Sequence, residues 1–194
     1  MNPMPASPFS AAQARQLEEL LDREAIREVL FRYARGVDRA DEAALRSAYW
    51  PDATDCHGAY RGSADGFIAQ ALERLRRGGL RSHVIGNILI ELHGAQAVVE
   101  SYFIALQAPV PAQVQDPVRA TLLAGRYADR FEKRSGEWRV AERTVVYDWI
   151  EETERPDFAQ GAALFGPRQP VGTLAPMDAI YALRERMGSL PVKT

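Results

Sequence analysis

At 194 residues the chain is most simply one domain, and a domain of this size buries roughly 70% of its unfolded surface. Hydrophobic residues at 46% and charged residues at 26% are ordinary globular usage, which argues against disorder, and the longest apolar runs fall far short of a membrane-spanning helix. A net charge of −2 offers no basic field to gather nucleic acid, and a single cysteine, Cys56, excludes an intrachain disulfide and any zinc motif built on paired cysteines.

The opening Met1-Asn2-Pro3-Met4-Pro5-Ala6-Ser7-Pro8 lacks the basic and apolar regions of a signal peptide, so a cytoplasmic protein with a flexible N-terminus over residues 1–14 is expected. Leu17, Leu20, Leu21, Ile26, Val29, Leu30, Tyr33 and Val37 then recur at three and four residues, the spacing of one helical face. Gly36 weakens the last turn of this helix. Asp41 reads as the N-cap of a short second helix through Leu45 and Tyr49, halted before Pro51, and Asp52 to His57 reads as a short strand. Ser63 leads into a third helix with Phe67, Ile68, Ala71, Leu72 and Leu75 on its apolar face; Arg74-Leu75-Arg76-Arg77 is its solvated end, with cations suited to the dipole.

From Gly78 the period changes. Four long apolar runs, 82–92, 95–107, 120–134 and 137–150, are separated by turn signals, with His93-Gly94 and Ser135-Gly136 as hairpin connections, which predicts an antiparallel meander. The result is an α+β domain over residues 15–150, three helices on a curved antiparallel sheet. Residues 151–194 combine five prolines with Phe158, Leu164, Phe165, Ile180, Tyr181 and Leu183, so an extension that packs on the domain or on a neighbouring subunit is expected, with one short helix near 177–187.

Two residues stand out chemically. Asp38 lies at a helix C-terminus, where the macrodipole disfavours a carboxylate by about 0.3–1 kcal/mol. His83 opens a branched apolar strand expected to be largely buried. If the strand packs on that helix, the carboxylate meets the imidazole, the arrangement that orients a histidine base. Tyr33 lies on the apolar stripe of the first helix but about 140° from Asp38 on an ideal helix, so both reach one cavity only if the turn at Gly36 loosens or the side chains converge from different depths. Strand alternation groups Arg143 with Ala141 and Val145, and His57 with Asp55. His93 is expected in an exposed turn. Three scattered histidines give no metal motif, and no glycine-rich nucleotide cradle is present, so no metal or cofactor is expected. Trp50, Tyr49, Phe67, Tyr102, Phe103, Tyr127 and Trp149 are candidates to line an apolar pocket.

Asp22-Arg23-Glu24-Ala25-Ile26, Tyr33 to Asp38, Pro51-Asp52-Ala53, Ser82-His83, Gly125-Arg126-Tyr127 with Asp129, and Gly136-Glu137-Trp138-Arg139 occur in this order over residues 15–150. The set resembles the SnoaL-like branch of the nuclear-transport-factor-2-like superfamily, which includes scytalone dehydratase, hexachlorocyclohexane dehydrochlorinase and bile-acid 7α-dehydratase. The resemblance implies a cone-shaped α+β barrel and a catalytic dyad at Asp38 and His83, with a tyrosine at Tyr33 and an arginine at Arg143. Around Ala105–Val110, and at Gly125 and Tyr127, the chain departs from the second histidine, serine and asparagine of scytalone dehydratase, and Tyr33 occupies the lysine position of the dehydrochlorinase.

The implied activity is a cofactor-independent elimination of dehydratase type on a small apolar cyclic or aromatic substrate. Catalysis would fall to His83, Asp38, Tyr33 and Arg143, and substrate binding to Tyr49, His57, Tyr127 and Phe103. The alternatives are an isomerase or cyclase using the same dyad, or a non-catalytic binding module such as the small subunit of an aromatic-ring dioxygenase. A homo-oligomer, trimer or dimer, is expected, with no nucleic-acid or membrane partner.

Overall fold

The computed structural model describes residues 9–110, 119–154 and 172–188. The chain runs α1 (Ala11–Arg39), α2 (Glu42–Ser47), β1 (Tyr49–His57), β2 (Tyr60–Ser63), α3 (Ala64–Leu75), β3 (Leu80–His93), β4 (Gln96–Ala108), β5 (Arg119–Arg134), β6 (Glu137–Glu154) and α4 (Ala179–Gly188). Helix α1 starts ahead of its apolar stripe because Ser10 and Gln13 form a reciprocal capping box. Asp41 and Ser63 cap α2 and α3 as their sequences predict, each side chain accepting a backbone N–H of its helix's first turn. Helix α2 ends at Ser47, and Tyr49 already belongs to β1.

The strands form one curved, unclosed sheet of order β2-β1-β6-β5-β4-β3. Strands β3 to β6 make the predicted meander, with long antiparallel ladders. The sheet as a whole is mixed, because β1 lies parallel to β6, two strands joined by a long excursion through α3 and the meander. The short β2 was not legible, since Tyr60-Arg61-Gly62-Ser63 carries no apolar alternation.

Register shifts between Tyr49 and Thr54, Ile85 and Ile88, Ala124 and Gly125, and Arg130 and Phe131 bend the strands. At Gly125 a Cβ would stand 2.1 Å from the Val146 carbonyl oxygen, so only glycine permits this approach. The concave face closes on α1 and α3 around Ile26, Leu30, Ile68, Val99, Phe131, Trp138 and Val140, all at most 2% exposed.

Several residues of the ordered motif set are structural. Asp22 accepts hydrogen bonds from Trp138 Nε1 at 2.9 Å and Lys133 Nζ at 2.7 Å, and Arg23 donates to the Ile90 carbonyl, so the middle of α1 is tied to the sheet. At its C-terminal end Gly36 admits Leu45 of α2, whose Cγ would lie 2.9 Å from an added Cβ. The glycine that looked like a weak turn is what lets α2 pack closely, and the left-handed Ala40, at φ 49°, ends α1.

Contrary to expectation, β3 is only half buried. It is an edge strand, no layer covers its outer face among the described residues, and Val84 and Leu89 on that face are more than half exposed. Of the C-terminal extension, 172–188 lies against the end of α1. Ala175 N–H donates to the Arg39 carbonyl, Arg39 pairs with Asp178, and the Tyr181 hydroxyl donates to Asp41 Oδ2 at 2.7 Å. The expected wrapping by the rest of the extension falls on 155–171 and 189–194, outside the described residues.

Candidate active site

The edge position of β3 explains how the dyad forms. The backbone N–H of His83 turns toward the C-terminal end of α1 instead of a neighbouring strand, and Asp38 Oδ2 accepts it at 3.0 Å. Asp38 Oδ1 lies 2.6 Å from His83 Nδ1. Two contacts on one carboxylate fix both the strand and the ring, and the side chains are only 12% and 6% exposed. Hydrogen bonds to a charged group contribute about 1.5–3 kcal/mol each, which exceeds the dipole penalty at this helix end. Asp38 holds Nδ1 of the imidazole, leaving Nε2 as the nitrogen available to the cavity.

That cavity has a volume of about 470 Å³ and is bounded by α1, α3 and the concave sheet. Tyr33, Phe103 and Tyr127 form much of its apolar wall, with Phe103 stacked on Tyr127 at 4.6 Å. His57 and Phe67 form the opposite side, stacked at 4.4 Å with an interplanar angle of 17°. Tyr147 closes the space between them, edge-on to both His57 and Phe103. Burial pushes the phenols of Tyr33, Tyr127 and Tyr147 above their ordinary value. Near neutral pH these hydroxyls are hydrogen-bond donors and not bases.

Arg143 is not in the cavity wall. It sits beneath it, fully buried, with Nε and Nη2 bonded to Asp129 at 2.7 and 2.6 Å. Its guanidinium lies 4.2 Å from the ring centres of both Tyr33 and Tyr127, a cation held between two aromatic faces. Tyr49 is in the same buried layer: its hydroxyl donates to Asp55 Oδ2 at 2.6 Å and lies 3.4 Å from Arg143 Nη1.

The structure therefore brings His83, Tyr33, His57, Tyr127 and Phe103 to one cavity, with Asp38 behind His83, and places Arg143 and Tyr49 one layer below. Of the other aromatic candidates, Phe67 lines the cavity. Trp50 lies between Arg134 and Arg139, and Tyr102 and Trp149 are exposed on the outer sheet face.

Arg81 and Arg74 at the cavity rim were missed. Strand period would have placed Arg81, two residues before His83, on the same face. Its Nη2 donates to the carbonyls of Leu75 and Gly78, and burial, partly offset by Asp38, lowers its pKa. Arg74 was read as part of the solvated helix end; it is exposed, as are Arg76 and Arg77, and it also borders the mouth of the cavity. Among the described residues no group of three or more His, Cys, Asp or Glu side chains is placed to hold a metal ion.

The SnoaL-like domain model matches residues 18–144, well over half of the chain, and the chain belongs to this family. No curated protein matches the sequence at a significant level. Among solved structures, a type 2 hexachlorocyclohexane dehydrochlorinase is 22% identical with a TM-score of 0.65, the match covering 74% of this chain and 97% of that one. A protein from Novosphingobium aromaticivorans described as a scytalone dehydratase is 19% identical with a TM-score of 0.61, covering 79% and 97%. The β subunit of an aromatic-ring-hydroxylating dioxygenase from the same organism is 20% identical with a TM-score of 0.53, covering 69% and 93%. Identities this low make the likeness one of fold. Among the described residues no helix is long and apolar enough to cross a membrane.

Proposed function

We propose that the protein is a cofactor-independent lyase that removes water, or a comparable leaving group, from a small, largely apolar cyclic or aromatic molecule. The observation that carries this reading is the double hold of Asp38 on His83 at the wall of an apolar cavity. Held at Nδ1, His83 presents Nε2 to take a proton from carbon, and Asp38 stabilises the imidazolium that results. The enolate-like charge meets neutral phenols, Tyr33 foremost, whose ring Arg143 fixes from below. Arg143 in this scheme acts through Tyr33 and Tyr127 of the cavity wall and through Tyr49 of its own buried layer. Return of the proton to a different carbon would make the same site an isomerase or cyclase. A cytoplasmic location is part of the proposal.

A homo-oligomer is also proposed. On the outer sheet face Val84, Ile104, Ala124 and Trp149 are register partners in one row across four strands, and Leu106 and Leu122 pair in the next. Exposed apolar rows of this extent mark interaction surfaces.

The test uses one preparation of the purified chain. Light scattering is expected to give a homo-oligomer, and incubation with hydroxylated cyclic ketones is expected to give a conjugated product followed by its ultraviolet absorbance. A chain without turnover across such compounds that requires a large iron-containing subunit for stability would instead support the binding-module reading.

A further inference from the structure

Asp55 and His57 share the inner face of β1, and one buried polar atom of each is left without a hydrogen-bond partner in a way no packing role requires. The Asp55 carboxylate is fully buried. Tyr49 satisfies its Oδ2 at 2.6 Å, whereas Oδ1 has no hydrogen bond. The group facing that oxygen is His57 Nδ1, at 3.6 Å, itself buried and without a hydrogen-bond partner. A small rotation of the ring on its Phe67 stack would close the pair. The imidazole is one-quarter exposed, and it lines the same cavity as His83 from the opposite wall. Behind it, Asp55 is joined through Tyr49 to Arg143 and Asp129, so the carboxylate belongs to a rigid buried network.

We propose that His57, positioned by Asp55, is the general acid of this cavity and protonates the departing oxygen while His83 takes the carbon-bound proton. This rests on the elimination reading above and adds the group which that reading lacks. In the imidazolium form both ring nitrogens donate, Nδ1 to Asp55 and Nε2 into the cavity. His83 Nε2 removes the proton from the carbon beside the carbonyl, and the C–H electron pair becomes the new C=C bond. The C–O bond breaks, and the oxygen leaves as water with the proton from His57. His57 ends neutral and His83 ends as the imidazolium; proton exchange with solvent through the cavity mouth restores both.

Such an acid matters only when the leaving group is poor. The test therefore compares a 3-hydroxy with a 3-acetoxy cyclohexanone as probes, since acetate departs without protonation. In the full chain, His57→Gln is expected to lose about 10²-fold or more in turnover of the hydroxy ketone and less than about 10-fold of the acetoxy ketone. His83→Ala is expected to lose both. Asp55→Asn should show the same leaving-group preference at smaller size. His57→Phe keeps a stacked plane against Phe67 without either nitrogen, so a purely structural His57 would leave it active on both probes, and the acid role would leave it active on the acetoxy ketone alone. Equal loss on the two ketones, or none, in a folded His57 variant would overturn the inference while leaving elimination by His83 intact. Failure of the wild-type chain to turn over either ketone would overturn the elimination reading and the acid role with it.

Discussion

Arg143 is a buried cation whose compensation is visible atom by atom: two bonds to Asp129, two aromatic faces, and the Tyr49 hydroxyl. Breaking such a pair from one side leaves an uncompensated buried charge and costs about 3–5 kcal/mol, whereas replacing both partners by apolar groups of similar volume is often near neutral. Arg143→Met should therefore lower the unfolding free energy by about 3–5 kcal/mol in denaturant titration, and adding Asp129→Leu should recover most of that loss. Additive losses in the double variant would contradict this account. The inward direction of Arg143 was legible from strand alternation, but its partner was not, because the pairing Asp129↔Arg143 depends on the β5–β6 register. Asp38 and His83 were legible because each was out of place locally. Arg81 was not, because an arginine at the start of a strand looks like an ordinary solvated end.

At the level of elements, the caps and turns were readable because their chemistry is local: Ser63 and Asp41 at helix starts, and Gly94 and Gly136 with positive φ in hairpin turns. The parallel placement of β1 beside β6 was not, since it joins residues some ninety positions apart in the chain, such as Asp55 and Arg143. The contact of α4 with the end of α1 carries its own pH signature. Burial pushes the Asp41 carboxyl up, but the Ala44 amide, the Tyr181 hydroxyl, Arg35 and Arg184 more than offset this and hold it below its ordinary 3.8. Burial and the bond to Asp41 raise the Tyr181 phenol from 10.0 to about 12. A depressed carboxyl contributes stability above its unfolded value and loses it as pH falls through the folded one. A raised phenol contributes below its unfolded value and loses it as pH rises through the folded one. The melting-temperature difference between the parent chain and Tyr181→Phe should therefore be steady between about pH 4 and 10 and shrink on both sides. A difference independent of pH would show that this contact does not hold the extension.

The molecule as a whole is a bent sheet closed on one side by helices. Its concave face holds an apolar cavity, and its convex face holds apolar rows that include Val84, from a strand the sequence read as largely buried, and Trp149, which it read as a pocket candidate. The fold class was legible because period, caps and turn residues agree across most of the chain. The cavity was legible only in part, since its lining depends on curvature set by four register shifts. One dyad, fixed by the crossing of a helix end and an edge strand, is the central claim. It is tested most directly by kcat/KM for elimination, measured on wild type and His83→Ala with the fold confirmed by circular dichroism. A positioned base contributes typically 10²–10⁴-fold, so a loss of at least about 10²-fold is expected, and a variant that retains more than about a tenth of wild-type turnover would contradict the dyad mechanism.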